Sequence, residues 1–490
     1  MRSATRGSRS LPVFPISPTP VRPGVAADVV ATPHDFAPVG DARGVRVALV
    51  TLGCDKNTVD SERLLATLVG QGARISPEVE GADVVIVNTC GFIQEAKEQS
   101  IETILEACEA KATRGGPSAV VAVGCLVERH AAELAAEIPE VDLFLGLSDL
   151  PRLVPELRRR GFLTAHDDDV PLMERPLRVL STATPHTSYL KISEGCDHTC
   201  AFCAIPLMRG LHRSHPVEEL VREAAGLGAA GVKELNVVSQ DTTWYGRDLR
   251  RHDPKAPLLP DLLRALLAGT DVPWFRLFYM YPSGITREVV ELLASEPRIL
   301  PYLDMPIQHG GDRILALMRR PERRATILER VAWLREAVPD LTLRTTVIVG
   351  FPGETDADFR ELLDLLDEVG FDRVGAFAYS LEEGTRAAEL PDQVPEGLAR
   401  ERLEELMDLQ RVISFEKNEA AIGRTAEAIV DERVTDDGEY VAVARTRGQA
   451  LDIDGVTHLR APADVDPGRM VEVHIVDALD YDLVAEVRTA

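Results

Sequence analysis

The chain has 490 residues, 45% of them hydrophobic, and a formal net charge of −25; that length excludes a single ordinary core and predicts two to four domains. No run approaches the ~18 to 20 apolar residues of a membrane-spanning helix, and no compact apolar segment follows a basic start as a secretory signal would, so a cytoplasmic protein with no membrane partner is expected. The acidic excess disfavours strong general nucleic-acid binding, which draws its affinity from Lys and Arg at phosphates, and suits a basic protein partner.

Residues 1–44 carry seven prolines and no acidic residue before Asp28, a composition that predicts a disordered extension. Over 45–164, short apolar strands alternate with amphipathic helices. Val45–Val50 precedes a helix over Val59–Val69, the strand from Ala82 precedes one over Ala96–Ala110, and the strand from Ala119 precedes one from Glu128. This pattern predicts an α/β domain with a parallel sheet. Cys54, Cys90 and Cys125 each fall just past one of the three strands. In open parallel sheets the loops at the carboxyl ends of strands converge, so the three thiols can meet in one place. Taken singly, each could equally be an inert core thiol, as Cys108 in its helical run is expected to be.

A polar, Pro-containing stretch over 165–187, with Asp167-Asp168-Asp169, reads as a linker. Over 188–418, six strand-like runs beginning near Tyr189, Glu234, Phe275, Tyr302, Leu343 and Arg373 are separated by helical segments, which predicts a partial (β/α)6 barrel. The carboxyl ends of these strands gather the polar residues that could touch a ligand: Glu194, Ser239, Gln240, Asp241, Tyr281, Gln308, His309, Gly350 and Ser380. Thr355 with Asp358 makes a capping box, so Gly350 and Gly353 lie in a tight strand-to-helix turn. Just past the first of these strands stand Cys196, Cys200 and Cys203, spaced C-x3-C-x2-C. Three thiolates can hold a 4Fe-4S cubane while leaving one iron open, whereas structural zinc sites take two separated pairs of ligands. His198 and His212 leave a zinc site as the alternative. Seven cysteines that sort into two sets of three and one leftover argue against a disulfide framework. Residues 419–490 show short alternating runs broken by turns, which predicts a small OB-like β-barrel; it has no lysine, and its acidic residues outnumber its arginines about two to one.

The cysteine triplet with Phe202 before its third member is similar to the signature of radical S-adenosylmethionine (SAM) enzymes. An α/β domain with three spaced cysteines, such a barrel and a small TRAM-like β module, in this order, resembles the methylthiotransferases. The resemblance covers Val45 to the carboxyl end. The runs Thr51–Glu62, Asn88–Lys97, Ile205–Gly210 and Asp480–Leu483 are similar to the branch that methylthiolates an aspartate of small-subunit ribosomal protein S-twelve. His130, His215 and Leu451 depart from its pattern at positions usually held by Tyr, Arg and Pro.

The resemblance implies two 4Fe-4S clusters, one on Cys196, Cys200 and Cys203 with SAM at its open iron, the other on Cys54, Cys90 and Cys125. Ser239, Gln240, Gln308, His309 and Gly350 are the expected cofactor contacts. The implied partner is ribosomal protein S-twelve, free or on the ribosome, together with an external electron donor and a sulfur source. A tRNA adenosine methylthiotransferase would share all six cysteines, and a non-catalytic iron–sulfur or electron-transfer protein is the alternative of another class.

Overall fold

In a computed structural model of the protein the described residues are 30–31, 44–163, 178–180, 184–434, 438–460 and 465–488. The chain divides into two compact units, Met1–Ala183 and Thr184–Ala490.

The first unit begins with a two-residue strand, Val30–Ala31 (β1), followed by Arg46–Thr51 (β2), Asp55–Val69 (α1), Arg74–Ile75 (β3), Val84–Thr89 (β4), Gln94–Ala112 (α2), Ala119–Gly124 (β5), Cys125–Glu137 (α3), Leu143–Leu145 (β6), Leu153–Arg159 (α4) and Arg178–Val179 (β7). Five of the strands form a parallel sheet in the order β3-β2-β4-β5-β6. Strands β4 and β5 are buried at every position, as expected where helices cover both faces. Alternate residues divide between the faces. Val85, Val87, Val120 and Ala122 pack with Ile104 of α2 and Leu126 and Leu134 of α3. Val84, Ile86, Val121 and Val123 pack with Leu64 and Leu68 of α1 and Leu153 and Leu157 of α4.

Two expectations shift at the edges of this unit. The extension expected over 1–44 lies outside the described residues except for Gly44 and β1, and β1 pairs in parallel with β7. Strand β7 itself falls inside the stretch read as a linker. There Arg178 is fully buried and ion-paired with Glu62 of α1, and Val179 packs on Leu65 and Ala66. The polar composition that suggested a linker includes a charge that is neutralised in the core.

The second unit opens with Thr187–Lys191 (β8), Ser193–Glu194 (β9), Ile205–Arg209 (α5), Arg213–Ser214 (β10) and Val217–Ala229 (α6). Then come Glu234–Val238 (β11), Leu259–Gly269 (α7), Trp274–Leu277 (β12), Arg287–Ser295 (α8), Ile299–Asp304 (β13), Asp312–Leu317 (α9), Arg324–Ala337 (α10), Thr342–Val349 (β14), Asp356–Val369 (α11), Arg373–Ala378 (β15) and Glu396–Glu419 (α12). Six strands line up in parallel as β8-β11-β12-β13-β14-β15. The last five, Thr425–Arg433 (β16), Tyr440–Thr446 (β17), Thr457–Arg460 (β18), Met470–Ala478 (β19) and Leu483–Val487 (β20), close into a small barrel.

The small barrel is seated on the amino ends of the parallel strands. Glu234, the first residue of β11, accepts from Arg276 Nε at 2.7 Å and from Arg445 Nη1 at 2.6 Å. Arg445 Nε also donates to Asp431 at 2.7 Å, and Asp431 meets the ring of His186 at 2.9 Å. Ile429 and Ala450 pack against Val238, Trp274, Phe278, Leu300 and Tyr302, while the Tyr302 hydroxyl donates to Asp454 at 2.8 Å. Burial alone would raise the Glu234 carboxyl, but the two guanidinium charges outweigh it and hold it below its ordinary value. Asp431 is lowered in the same way: burial raises it, and His186 and Arg445 more than offset that. No helix among the described residues is long and apolar enough to cross a membrane.

Candidate active site

In the first unit the chain brings Cys54, Cys90 and Cys125 to one edge of the sheet, and two of them open helices. Cys54 is the N-cap of α1 in extended backbone, and Cys125 is the first residue of α3. The sequence-based helix starts at Val59 and Glu128 were late, because the first turns of both helices are not marked by apolar periodicity. Cys90 lies just before α2 and exchanges hydrogen bonds with Ser100 of that helix, 3.0 Å in each direction.

The three cysteine loops are held by one fully buried side chain, Asn57. Its Nδ2 donates to the carbonyls of Leu52 at 2.8 Å and Thr89 at 3.1 Å, and its Oδ1 lies 3.8 Å from Cys125 Sγ. Asn88 Nδ2 donates back to the Asn57 carbonyl at 3.1 Å and to Ser61 Oγ at 2.9 Å. Gly53 adopts φ +90°, and a Cβ built there would stand 2.8 Å from Cys90 Sγ, so only glycine lets the two loops approach.

In the second unit Cys196, Cys200 and Cys203 occupy the loop beyond β9, at the carboxyl ends of the parallel strands. Cys196 N donates to the Gly210 carbonyl at 3.0 Å, Cys203 N to that of Cys200 at 3.2 Å, and Ala201 N to that of Met318 at 2.9 Å. Ala201 and Phe202 pack on Ile314, Met318, Phe351 and Ala387. Desolvation pushes the Cys196 and Cys203 thiols up to about 12, and the neighbouring cysteines push in the same direction. Burial therefore keeps these groups as neutral thiols in the absence of a metal, and three cysteines on one loop are a donor set that an iron–sulfur cluster takes. Among the described residues, no three His, Cys, Asp or Glu side chains converge on one point as ligands of a single ion do.

The two histidines that left a zinc alternative are engaged elsewhere. His198 Nε2 meets Asp241 Oδ2 at 2.6 Å, and its ring stacks on Tyr281 with centroids 4.3 Å apart. The His212 ring faces Ser214 Oγ at 3.1 Å.

Around Cys200 the structure gathers Tyr281 and adds Arg320, which sequence reasoning missed. The Tyr281 hydroxyl lies 3.5 Å from Cys200 Sγ, and burial raises that phenol well above its ordinary value, so it remains a hydroxyl. Arg320 Nη1 donates toward the same sulfur at 3.8 Å, and its guanidinium carbon sits 3.8 Å above the Tyr281 ring. Tyr281 was legible as a strand-end residue. Arg320 comes from the turn between α9 and α10 and has no local signal.

The five expected cofactor contacts have different surroundings. Gln240, at the carboxyl end of β11, has both amide atoms buried with no hydrogen-bond partner, an orphaned donor and acceptor that fit a polar ligand. Ser239 Oγ is taken by Ser193 at 2.5 Å. Gln308 has φ +69°, and its backbone N donates to Thr346 while its carbonyl accepts from Ile348. His309 is fully buried, its Nδ1 accepts from Gly311 N at 2.9 Å, and its Nε2 faces Glu354 at 3.4 Å. Gly350, at φ +72°, packs so tightly that a Cβ would approach that of Ala399 of α12 to 2.5 Å; its N–H donates to Glu354 at 3.0 Å. Ser239 and Gly350 therefore each have a structural reason to be there, whereas both amide atoms of Gln240 and the Nε2 of His309 are buried without a hydrogen-bond partner.

Three family matches follow one another along the chain: the uncharacterized protein family UPF0004 over residues 46–146, the Radical SAM superfamily over 190–366 and the TRAM domain over 422–487. With the cysteine loop at the carboxyl edge of a six-stranded parallel sheet, they define a radical SAM enzyme. A protein of Symbiobacterium thermophilum named ribosomal protein uS12 methylthiotransferase RimO is 46% identical over 452 residues, covering 91% of each chain. One of the same name from Geobacter sulfurreducens is 43% identical over 446 residues, 90% of this chain and 98% of its own. The chain belongs to the RimO family of radical SAM methylthiotransferases.

Proposed function

We propose that the protein adds a methylthio group to the β-carbon of an aspartate in ribosomal protein uS12, with Cys196, Cys200 and Cys203 holding one 4Fe-4S cluster and Cys54, Cys90 and Cys125 holding a second. The single observation that carries this reading is the full-length similarity to the uS12 enzymes, 46% over 91% of the chain, with both cysteine triads at the carboxyl edges of their sheets. When bound, the clusters and SAM would supply the radical and sulfur chemistry that an unactivated methylene C–H bond demands. The protein supplies position. Gln240 offers its unpartnered amide to the polar groups of SAM. Tyr281 and Arg320 surround Cys200, and the Asp241–His198 pair lines the same loop. Asn57 holds the three loops of the other triad in register. The acidic TRAM module suits a partner rich in Lys and Arg, and a cytoplasmic site of action follows from that substrate.

The test is anaerobic. The full chain is reconstituted with iron and sulfide, given SAM, reductant and sulfide, and offered either a peptide of the uS12 loop or bulk tRNA. Mass spectrometry should find a gain of CH₂S, about 46 Da, on the peptide aspartate. The same gain on a tRNA adenosine, or SAM consumed with neither product, would overturn the assignment.

A further inference from the structure

The turn that delivers Arg320 is built with unusual care. Helix α9 ends in a paired capping motif: Arg319 N donates to the Ala316 carbonyl at 3.0 Å, and Arg320 N to that of Leu315 at 2.8 Å. This Schellman geometry puts its C′ residue in the left-handed region, where glycine is usual, yet the residue is Arg319, at φ +58°. A non-glycine residue there bears a conformational cost that the surroundings must over-determine. The surroundings do so through the cysteine loop: the Met318 carbonyl accepts from Ala201 N at 2.9 Å, and Arg320 Nη2 donates to the Pro306 carbonyl at 2.9 Å. Arg320 is 2% exposed and is faced by Glu322 at 3.1 Å, which in turn accepts from Ser283 Oγ at 3.0 Å. A guanidinium stays protonated in such a place.

We propose that Arg320 and Tyr281 are tuning residues of the SAM-binding cluster: by directing a cationic and a hydroxyl donor at Cys200, they raise the potential at which that cluster takes up its electron. The inference rests on the assignment of Cys196, Cys200 and Cys203 as its ligands. Reduction adds one negative charge to a cluster whose thiolates are already anionic, and cluster potentials follow net charge and hydrogen bonds to sulfur. Both donors reach Cys200. Cys196 and Cys203 have backbone N–H groups of His198 and Ile205 as their donors, and Arg320 reaches Cys203 through its charge and not through a hydrogen bond. The three ligand sulfurs are therefore electronically unequal, and the cation lies on the side of the second cysteine. Stacking on the Tyr281 ring at 3.8 Å fixes the guanidinium plane, so the charge cannot swing away when the electron arrives.

The experiment uses the full chain with Cys54, Cys90 and Cys125 replaced by Ala, so that one cluster remains, reconstituted anaerobically. Iron per chain is measured, and the reduced-cluster EPR signal is titrated against potential for this parent and for its Arg320→Gln, Arg320→Lys and Tyr281→Phe derivatives. Arg320→Gln should lower the reduction equilibrium constant about tenfold, which for a one-electron couple is about 59 mV. Arg320→Lys should recover most of that, and Tyr281→Phe should lower it about threefold. If Arg320→Gln fails to retain iron, Tyr281→Phe decides, since it removes a single oxygen. Titrations of all iron-retaining variants that superimpose on the parent within twofold would overturn the proposal. A parent with no reducible cluster, or one whose signal survives Cys196→Ala, would overturn the ligand assignment itself, and the two failures are therefore distinguishable.

Discussion

Replacing Asn57 by Ala removes the clasp of the first cysteine triad. The side chain is fully buried and donates to the Leu52 and Thr89 carbonyls at 2.8 and 3.1 Å. Both carbonyls lose a partner in the variant, at about 1–3 kcal/mol each, so the domain should lose about 2–6 kcal/mol unless the loops move out to water. That movement is the point. Leu52 stands two residues before Cys54 and Thr89 one before Cys90, so relaxation of either loop shifts a cysteine of the proposed second cluster. Asn57→Ala should therefore fall from about eight irons per chain toward about four on reconstitution, the number of one remaining cubane. SAM cleavage at the other triad should persist while methylthio transfer to the uS12 peptide is lost. Iron and sulfide assays, deoxyadenosine release and peptide mass spectrometry read the three quantities on one preparation. A variant that keeps eight irons and transfers the methylthio group at the parent rate would refute the reasoning.

Arg445→Met leaves Glu234 and Asp431 buried without their shared cation and should cost about 3–5 kcal/mol by denaturant titration; a loss under 1 kcal/mol would count against the network as described. The same carboxyls set a pH dependence. Both are held below their ordinary values in the folded chain, so their stabilisation is complete above about pH 5 and is lost as pH falls through the depressed folded values. Acid titration of the Arg445→Met chain should accordingly be flatter than that of the parent. Gln240→Leu should weaken SAM binding to the reconstituted chain about tenfold, a hydrogen bond or two, with iron content unchanged; an unaltered dissociation constant would remove Gln240 from the site. Binding of full-length uS12 should weaken steeply between low and high salt, and an affinity constant across that range would contradict electrostatic recognition by the acidic module.

Much of this arrangement was legible in the residues because the sheet pattern is strong. Continuous apolar runs such as Val84–Val87 and Ala119–Val123 marked central parallel strands, and the cysteines immediately after them had to lie at the carboxyl edge. The Thr355–Asp358 capping box was also readable, and its reciprocal hydrogen bonds are present. What escaped was every feature made by tertiary contact. Asn57 lay just ahead of the helix expected from Val59 and drew no reading of its own, although its amide spans two loops. Arg178 and Glu234 carry charges in segments whose neighbours suggested linker and apolar strand, and each is neutralised by a residue more than 40 positions away. Arg320 follows another arginine after a short helix, and nothing local says that one of the pair points to a cysteine 120 residues earlier.

The way the TRAM barrel meets the parallel strands bears on how its contribution is measured. It is fastened by Arg445 and Asp431 from its own strands and by Asp454 on the Tyr302 hydroxyl, so it acts as the stopper of a vessel whose open end holds the cysteine loop. Cutting the chain after α12 would remove the proposed recognition surface and, in the same stroke, leave Glu234, Arg276 and Tyr302 facing water. A truncated enzyme that fails to modify uS12 would thus be silent about recognition. Charge reversals on the outer face of the module, at positions such as Glu472 and Asp477, separate the grip from the plug.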